Sequence, residues 1–273
     1  MLIVNKCVSC NGEVLRKDDC FVCEKCGLRM APDMHALDYD ISYTKDDSLY
    51  GEHIKHLNRF QSTRNPLQHL IPFESKIVEL LQNDSGLKSI TDLGCGTGRF
   101  LRAAEHIGLN AIGFEVASIL VKELLKHGRD VKQGGINEFV SSNIKSDVIT
   151  LLEVVEHLAE PRNAISSILN LKHPKLLFVV VPEWKTRRHF DSNFASHDVP
   201  PNHLTWWSKQ SLDELLAHPD YEVHVEEVAE SRRSLLGHIF RNKHNFMEVG
   251  FFEWIRALLS PPPFWLLGIA YRK

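Results

Sequence analysis

The sequence lacks a long apolar run and a marked excess of either charge. Its net charge is −3 over 273 residues, which gives no reason to expect a nucleic-acid or membrane partner. No stretch reaches the roughly 18 uninterrupted apolar residues of a membrane span; prolines 261–263 interrupt the apolar C-terminal segment. The N-terminus has no basic stretch followed by an apolar core, so we expect no secretory signal and predict a cytoplasmic location.

Five of the six cysteines occur within the first 27 residues, and only one occurs in the rest of the sequence. These five are Cys7, Cys10, Cys20, Cys23 and Cys26. In a cytoplasmic chain such clustering favours metal binding over disulfides. Two Cys-x-x-Cys pairs, Cys7/Cys10 and Cys23/Cys26, predict a structural four-thiolate zinc site in a ribbon-like segment over residues 1–30. Cys20 lies at the same spacing before Cys23. Two alternatives therefore stay open: Cys20 replaces one of the four ligands, or the cysteines hold an iron–sulfur cluster.

Residues 31–65 form a polar connector rich in Asp, Tyr and His, in which Tyr39, Tyr43 and Tyr50 recur. Its composition favours a linker partly packed on the main domain over a lid that covers a substrate.

Residues 66–273 alternate predicted strands with predicted helices, which indicates an α/β domain with a doubly wound, Rossmann-like parallel sheet. The predicted strands cover 89–93, 110–114, 130–132, 146–152, 175–181, 221–228 and 265–271. The predicted helices cover 66–83, 99–107, 118–126, 161–171 and 211–217. Segments 183–207 and 229–263 interrupt the alternation, and we interpret them as insertions at the carboxyl ends of the strands, where ligands bind in such sheets.

A glycine-rich loop joins the first of these strands to a helix. It reads Asp92-Leu93-Gly94-Cys95-Gly96-Thr97-Gly98, and Glu115 follows the next strand. A dinucleotide loop would place its third glycine at position 99, which is an arginine, and the Gly-Lys-Ser/Thr of a P-loop is absent. The leading Asp92 suits a ligand that carries an ammonium group, and Glu115 can accept hydrogen bonds from both ribose hydroxyls.

With these features, residues 88–230 resemble class I S-adenosylmethionine-dependent methyltransferases, and they are most similar to the ubiquinone-pathway O-methyltransferases of the small-molecule branch. The resemblance implies S-adenosylmethionine as cofactor. It assigns the loop to the methionine part, Glu115 to the ribose and residues after the third strand to the adenine. Gly135 stands where many relatives carry an acidic residue. The expected cofactor-binding residues are Asp92, Gly94, Cys95, Gly96, Gly98, Glu115, Val116, Ile136, Asn137 and Glu153.

Two carboxylates and a histidine, Glu153-Val-Val-Glu156-His157, follow the fourth strand, and His203 comes later. On a helical turn Glu153 shares a face with Glu156 or His157. We expect His157, His203 and Glu156 to be catalytic. Similar sequences in some O-methyltransferases bind a divalent cation, so the resemblance implies a second metal, Mg²⁺ or Zn²⁺, at Glu153 and these three residues. Direct acid–base catalysis and a role in shaping the pocket stay open as alternatives.

Aromatic and basic residues of the insertions have two interpretations each. Four aromatic residues could line an apolar acceptor pocket or cover the sheet as core: Trp184, Phe190, Trp206 and Trp207. Two basic groups could contact an anionic acceptor or lie in solvent, and we favour the second: Arg187-Arg188-His189 and Arg232-Arg233.

The sequence therefore predicts an enzyme that transfers a methyl group from S-adenosylmethionine to a small-molecule acceptor, above all to an oxygen. One alternative is an RNA acceptor, which the ribbon and the Glu-x-x-Glu-His pattern favour and the acidic net charge opposes. A second alternative is a non-catalytic scaffold in which the zinc ribbon contacts a partner protein; an intact glycine loop argues against it.

Overall fold

The computed structural model describes residues 6–37, 47–190, 198–232, 234–236 and 251–273. A central seven-stranded sheet is built from β4 (Ser89–Leu93), β5 (Asn110–Glu115), β6 (Val131–Gln133), β7 (Val148–Leu152), β8 (Leu176–Pro182), β10 (Tyr221–Ala229) and β11 (Pro263–Arg272). The strand order is β10-β11-β8-β7-β4-β5-β6. The strands from β8 to β6 are parallel, and β11 is antiparallel to both of its neighbours. This confirms the predicted fold class.

Strand β8 lies between β11 and β7 in the sheet and is buried on both faces. Its seven residues, Leu-Leu-Phe-Val-Val-Val-Pro, are all buried, as expected for a central strand covered by helices on each side. The strand order reverses between β4 and β7, and such a switch point opens a crevice at the carboxyl ends of these strands.

The helices that cover the sheet are α1 (Asp47–Ser62), α2 (Pro72–Gln82), α3 (Arg99–His106), α4 (Ser118–Lys126), α5 (Ile136–Ser141), α6 (Pro161–Lys172), α7 (Trp184–Phe190), α8 (Lys209–Leu216) and α9 (Phe251–Leu259). Short 3₁₀ helices span Pro66–His69 and Val155–His157. None of the helices that the structure describes combines the length and the apolarity needed to cross a membrane.

The predicted helix over residues 66–83 is wrong as a single element. The structure has a 3₁₀ helix, a break and then α2, with Ile71 extended at ψ 165°. The cause is Pro72, whose ring disfavours helical backbone at the preceding residue. Pro72 then starts α2 at a position where a missing N–H does no harm, and the Glu74 carboxylate accepts a hydrogen bond from the Ile71 N–H at 3.0 Å.

A second, four-stranded sheet joins the N-terminal ribbon to the methyltransferase-like domain. Its order is β1 (Val14–Lys17), β2 (Cys20–Cys23), β3 (Arg29–Met30) and β9 (Thr205–Trp206). Strands β1 and β2 form an antiparallel hairpin that connects the two cysteine pairs. Strand β9 lies within the predicted insertion 183–207, so the ribbon and the insertion share one sheet.

One face of the central sheet and the ribbon share a hydrophobic core. Leu28 and Met30 of the ribbon are fully buried in the same cluster as Val155, Leu204 and Trp207. The opposite face packs against α2, α3 and α9 in a separate cluster. The ribbon is thus packed into the domain.

Candidate active site

The glycine loop follows β4 and comes close to the turn after β7. Gly94 has φ +74°, and a Cβ there would lie 2.7 Å from Val154 Cγ2, so both conformation and space require glycine. The Gly94 and Cys95 N–H groups donate to the Phe114 carbonyl at 2.8 and 3.0 Å. These bonds fix the loop at the crevice of the switch point.

Glu115 ends β5 and faces the loop. Its carboxylate accepts hydrogen bonds from the Gly96 N–H at 2.8 Å and the Ala117 N–H at 2.9 Å. Burial raises the pKa of Glu115, while the bonds from Ala117 and Gly96 oppose that shift. These two hydrogen bonds hold the carboxylate in a fixed orientation.

Asp92, at the start of the loop, is a buried acid with a raised pKa. It is 3% exposed, and its Oδ1 accepts a hydrogen bond from Thr150 Oγ1 at 2.7 Å. Burial raises the pKa of Asp92 to about 7, and the Thr150 bond lowers it in part. A buried carboxyl with a pKa in this range gains from a cationic ligand beside it.

Two cavities meet at Gly94, Gly96 and Glu153. The first has a volume of about 830 Å³, and His157 lies in its wall. The expected cofactor-binding residues that line it are Gly94, Gly96, Glu115, Val116, Ile136, Asn137 and Glu153. The second, of about 410 Å³, contains Asp92 and Cys95 in its wall. Gly98 lines neither cavity; a Cβ there would lie 2.6 Å from Leu124 Cδ2, so it is required for packing.

Helix α1 contributes residues to the second cavity that the sequence interpretation missed. His53, His56 and Phe60 line it. The buried side chain of Gln61 donates to the carbonyls of Thr97 and Gly98, both at 3.1 Å, and so fastens the end of the loop. A helical signal was present in the spacing of Ile54, Leu57 and Phe60, which the polar composition of the connector obscured.

An ion pair lines the same cavity. Glu74 of α2 binds Arg99 of α3 with an N–O distance of 2.8 Å, and the Arg99 guanidinium lies 5.4 Å from the Phe60 ring centroid. Burial raises the pKa of Glu74, and the charge of Arg99 lowers it in part. The first cavity likewise receives residues from beyond the predicted site, since Ala36 and Leu37 of the connector line it.

The structure brings together three of the four residues of the predicted second metal site. Ligand atoms of Glu156, His157 and His203 lie within 4.8 Å of one another. The two imidazole rings are 4.7 Å apart between centroids. Glu156 is fully buried, and His203 pairs with the buried Asp198 at 3.4 Å. The carboxylate and imidazoles therefore form a compact donor set behind the wall of the first cavity.

The prediction that Glu153 shares a helical face with Glu156 and His157 is wrong. Glu153 precedes the 3₁₀ helix and has φ +57°, a left-handed conformation that directs its side chain elsewhere. Its Oε1 accepts a hydrogen bond from Trp265 Nε1 at 3.1 Å. Glu153 therefore lies at the junction of the two cavities, outside the cluster.

His157 is held in one tautomer. Its Nδ1 lies 2.7 Å from the Asn202 carbonyl, which can only accept, so Nδ1 carries the proton of the neutral ring. Burial lowers the pKa of His157 below its usual range. Burial therefore favours the neutral ring, and backbone hydrogen bonds to Asn202 and Glu153 oppose this shift in part.

The four predicted ligand cysteines converge. Cys7 and Cys26 sulfurs are 3.5 Å apart, those of Cys10 and Cys23 are 3.4 Å apart, and all four lie within 4.8 Å of one another. A tetrahedral zinc with bonds of about 2.3 Å has sulfur–sulfur edges of roughly 3.8 Å, so the set fits that ion. Cys20 lies outside this group and its Sγ contacts the Lys17 carbonyl at 3.5 Å.

The aromatic and basic residues of the insertions are dispersed. Trp207 is fully buried core, Trp206 Nε1 donates to the Asp198 carbonyl at 2.9 Å, and Trp184 lies under the Arg29 guanidinium; none of the three lines either cavity. Arg232 is exposed and bonds the Leu259 carbonyl at 3.2 Å. Several predictions lie outside the described residues or side chains: those on Tyr39, Tyr43, Tyr50, Arg187, Arg188, Phe190 and Arg233.

The sheet order, the glycine loop and the acidic residue at the end of β5 define a Rossmann-like methyltransferase fold. Residues 60–226, more than half of the chain, match the family described as "Methyltransferase domain", and the chain belongs to that family. This confirms the resemblance predicted from the loop.

Sequence relatives include O-methyltransferases. The ubiquinone biosynthesis O-methyltransferase of Actinobacillus pleuropneumoniae is 28% identical over 120 residues, covering 40% of this chain and 51% of that protein. The small RNA 2′-O-methyltransferase of Arabidopsis thaliana is 31% identical over 120 residues, covering 37% of this chain and 13% of that protein. The chain spans about half the length of the first of these relatives and much less of the second.

Solved structures show the same fold. A SAM-dependent methyltransferase from Archaeoglobus fulgidus aligns with TM-score 0.53 and 15% identity, covering 83% of this chain and all of that one. The plantazolicin methyltransferase BpumL in complex with SAH also aligns with TM-score 0.53 and 15% identity, covering 86% and 94% of the two chains.

Proposed function

We propose that this chain transfers a methyl group from S-adenosylmethionine to an oxygen of a small-molecule acceptor. The observation that carries the proposal is the pair of cavities at the switch point that share Gly94, Gly96 and Glu153 in their walls; Glu115 and His157 line the larger one. Pockets of this volume suit a cofactor together with part of a small acceptor. O-methyltransferases among the sequence relatives support the choice of oxygen.

The residues that line each cavity support one orientation of the cofactor. Asp92 in the second cavity would pair with the methionine ammonium, and Glu115 would accept from the ribose hydroxyls. Val116 and residues 135–137 in the first cavity would surround the adenine. Glu153, at the junction, would lie near the sulfonium, whose positive charge a carboxylate stabilises.

The chemical work left to the protein is deprotonation and alignment. The sulfonium supplies an activated methyl group, so the acceptor oxygen must be aligned with it and lose its proton. His157 in its neutral form has a lone pair on Nε2 that would take this proton, and the Asn202 carbonyl would stabilise the resulting Nδ1–H. Truncating such a base reduces turnover by about 10²–10⁴-fold.

The alternative to direct base catalysis is a divalent cation at Glu156, His157 and His203, in which case His157 would bind the ion and would not take the proton. One carboxylate and two imidazoles suit Zn²⁺, and Mg²⁺ would need additional oxygen ligands. The cation would lower the pKa of an acceptor hydroxyl and orient it. Glu153 would join the set after its side chain leaves Trp265.

The variant His203→Ala separates the cation from direct base catalysis, because it removes one ligand and leaves His157 in place. If catalysis depends on the cation, His203→Ala should lose bound metal and activity together. If His157 acts as a base without metal, the native chain should retain activity after its metal is removed.

A structural zinc at Cys7, Cys10, Cys23 and Cys26 is also proposed. The Ser9 N–H lies 3.4 Å from Cys7 Sγ, and the Cys26 N–H lies 3.5 Å from Cys23 Sγ. Such amide contacts stabilise thiolates bound to a metal. Metal analysis should give about one zinc per chain at this site, and Cys7→Ser with Cys26→Ser should remove it; an unchanged zinc content would contradict the assignment.

An RNA acceptor is the second candidate. The small RNA 2′-O-methyltransferase among the relatives and the Glu156–His157–His203 cluster favour it. A mobility shift with short RNA at physiological salt, followed by transfer of a labelled methyl group, tests it. Methylation of RNA would replace the small-molecule proposal.

Calorimetry with S-adenosylhomocysteine tests the core of the proposal. The native chain should bind it, and Glu115→Ala should weaken binding by about tenfold or more, because an acceptor of ribose hydrogen bonds is lost. Gly96→Arg, in the wall of both cavities, should also weaken binding. Gly108→Ala, at a glycine that lines neither cavity, serves as its control. Absence of binding by the folded native chain would refute the methyltransferase proposal and favour a scaffold.

A further inference from the structure

The cysteine ribbon is connected by hydrogen bonds to the backbone around the Glu156–His157–His203 cluster. Strand β3 pairs with β9 in the register Arg29 to Trp206 and Met30 to Thr205. The Ala31 N–H extends this ladder and donates to the Leu204 carbonyl at 2.8 Å. The ribbon therefore holds the segment that directly follows His203.

That segment in turn holds the turn that carries Glu156 and His157. The Leu204 N–H donates to the Glu156 carbonyl at 2.8 Å, and Thr205 Oγ1 contacts the same carbonyl at 3.4 Å. The Asn202 carbonyl accepts from His157 Nδ1 at 2.7 Å. Residues on both sides of His203 thus fix the two other members of the cluster.

The metal-binding end of the ribbon is anchored separately to α8. Ser208 Oγ donates to the Cys26 carbonyl at 2.9 Å, and Ser9 Oγ donates to the Ser211 carbonyl at 2.6 Å. Lys25 binds Glu214 at 2.8 Å. The loops around the four cysteines and strand β3 therefore contact the domain at two places.

The ribbon also continues into the wall of the first cavity. Met30, Ala31 and Met34 are buried, and Ala36 and Leu37 line the cavity. A segment of about 25 residues buries too little apolar area to keep its shape alone, so this wall would take its shape from packing on the domain together with an ion that the four thiolates would hold.

We propose that the four-cysteine metal site is a positioning element for the catalytic cluster and the cavity wall, through the bond between Ala31 and Leu204 and the β3–β9 pairing. This inference rests on the proposed function. It predicts that ligand affinity in the cavity depends on the metal content of the ribbon, although no cysteine of the metal site lines the cavity.

The experiment compares three variants of the full chain with the native protein. Ala31→Pro deletes the N–H that bonds Leu204 and leaves all four cysteines in place. Cys10→Ser weakens the metal site itself. Lys17→Ala changes an exposed side chain of β1 on the same ribbon and is the control. Each protein is assayed for zinc content, for S-adenosylhomocysteine affinity by calorimetry and for amide hydrogen exchange.

The expected result for Ala31→Pro is a zinc content near the native value, a dissociation constant raised about fivefold for the lost hydrogen bond, and faster exchange over residues 203–207 and 156–158. Strands β7 and β8 should stay protected. Cys10→Ser should show the same loss of affinity and the same faster exchange, but with less zinc. The dissociation constant of Lys17→Ala should match that of the native protein within about twofold.

Three results would overturn the inference. One is native affinity and native exchange at residues 203–207 in a Cys10→Ser protein that has lost its zinc. Another is loss of protection across β7 and β8 in both Ala31→Pro and Cys10→Ser, because the ribbon would then be required for folding as a whole. The third is an equal effect of Lys17→Ala. Failure of the proposed function looks different, since the native chain would then bind no S-adenosylhomocysteine.

Discussion

Cofactor affinity should increase with pH because of Asp92. Burial raises its pKa from 3.8 to about 7 in the unliganded protein, so much of it is protonated at pH 6. A cofactor ammonium pairs with the carboxylate form and must displace that proton. With a pKa near 7 the ionised fraction is about 0.1 at pH 6 and about 0.9 at pH 8. The dissociation constant of S-adenosylhomocysteine should therefore fall about tenfold between these values.

The raised pKa of Asp92 also makes the free energy of unfolding of the unliganded protein depend on pH. Since the folded state holds this proton more tightly than the unfolded chain, the stability that Asp92 contributes is complete below about pH 4 and is lost as the pH rises through 7. The increase in melting temperature on adding S-adenosylhomocysteine should accordingly be larger at pH 8 than at pH 6.

Calorimetry at pH 6, 7 and 8, in buffers with different ionisation enthalpies, measures both the affinity and the protons released. Asp92→Asn should bind S-adenosylhomocysteine weakly, with an affinity that does not change with pH. Glu115→Gln should bind more weakly than the native chain but keep the native dependence of affinity on pH. A native affinity that does not change with pH, or a slope that survives in Asp92→Asn, would refute the role assigned to this carboxyl.

Three further predictions concern the loop and the junction of the cavities. Gln61→Ala removes both bonds to the loop carbonyls and should weaken cofactor binding by about five- to tenfold in calorimetry; native affinity would contradict its role in fastening the loop. Gly94→Ala places a Cβ against Val154 at positive φ and should lower the free energy of unfolding by roughly 1–3 kcal/mol in urea titration; an unchanged transition would show that the loop adapts. Trp265→Phe keeps an aromatic ring but removes the hydrogen bond from Nε1 to the Glu153 carboxylate, and should change the KM for the cofactor more than it changes kcat; an effect on kcat alone would indicate another role.

Much of the fold was predictable because its signals are local. The run Leu-Leu-Phe-Val-Val-Val of β8 and the glycine spacing after β4 each lie within a few contiguous residues. The failures arose where a local rule competed with another. Pro72 divided a helix that the apolar spacing alone would have continued, and a polar composition concealed the buried face of α1.

By itself the sequence determined the doubly wound sheet, the loop around Gly96, its partner Glu115 and the grouping of four cysteines, because periodicity and spacing are properties of neighbouring residues. Only the tertiary structure decided that β3 pairs with β9, that α1 lines a cavity and that Glu153 turns to Trp265, away from Glu156 and His157. These contacts join residues far apart in the chain, and the burial and hydrogen bonding that select them exist only once the chain is packed.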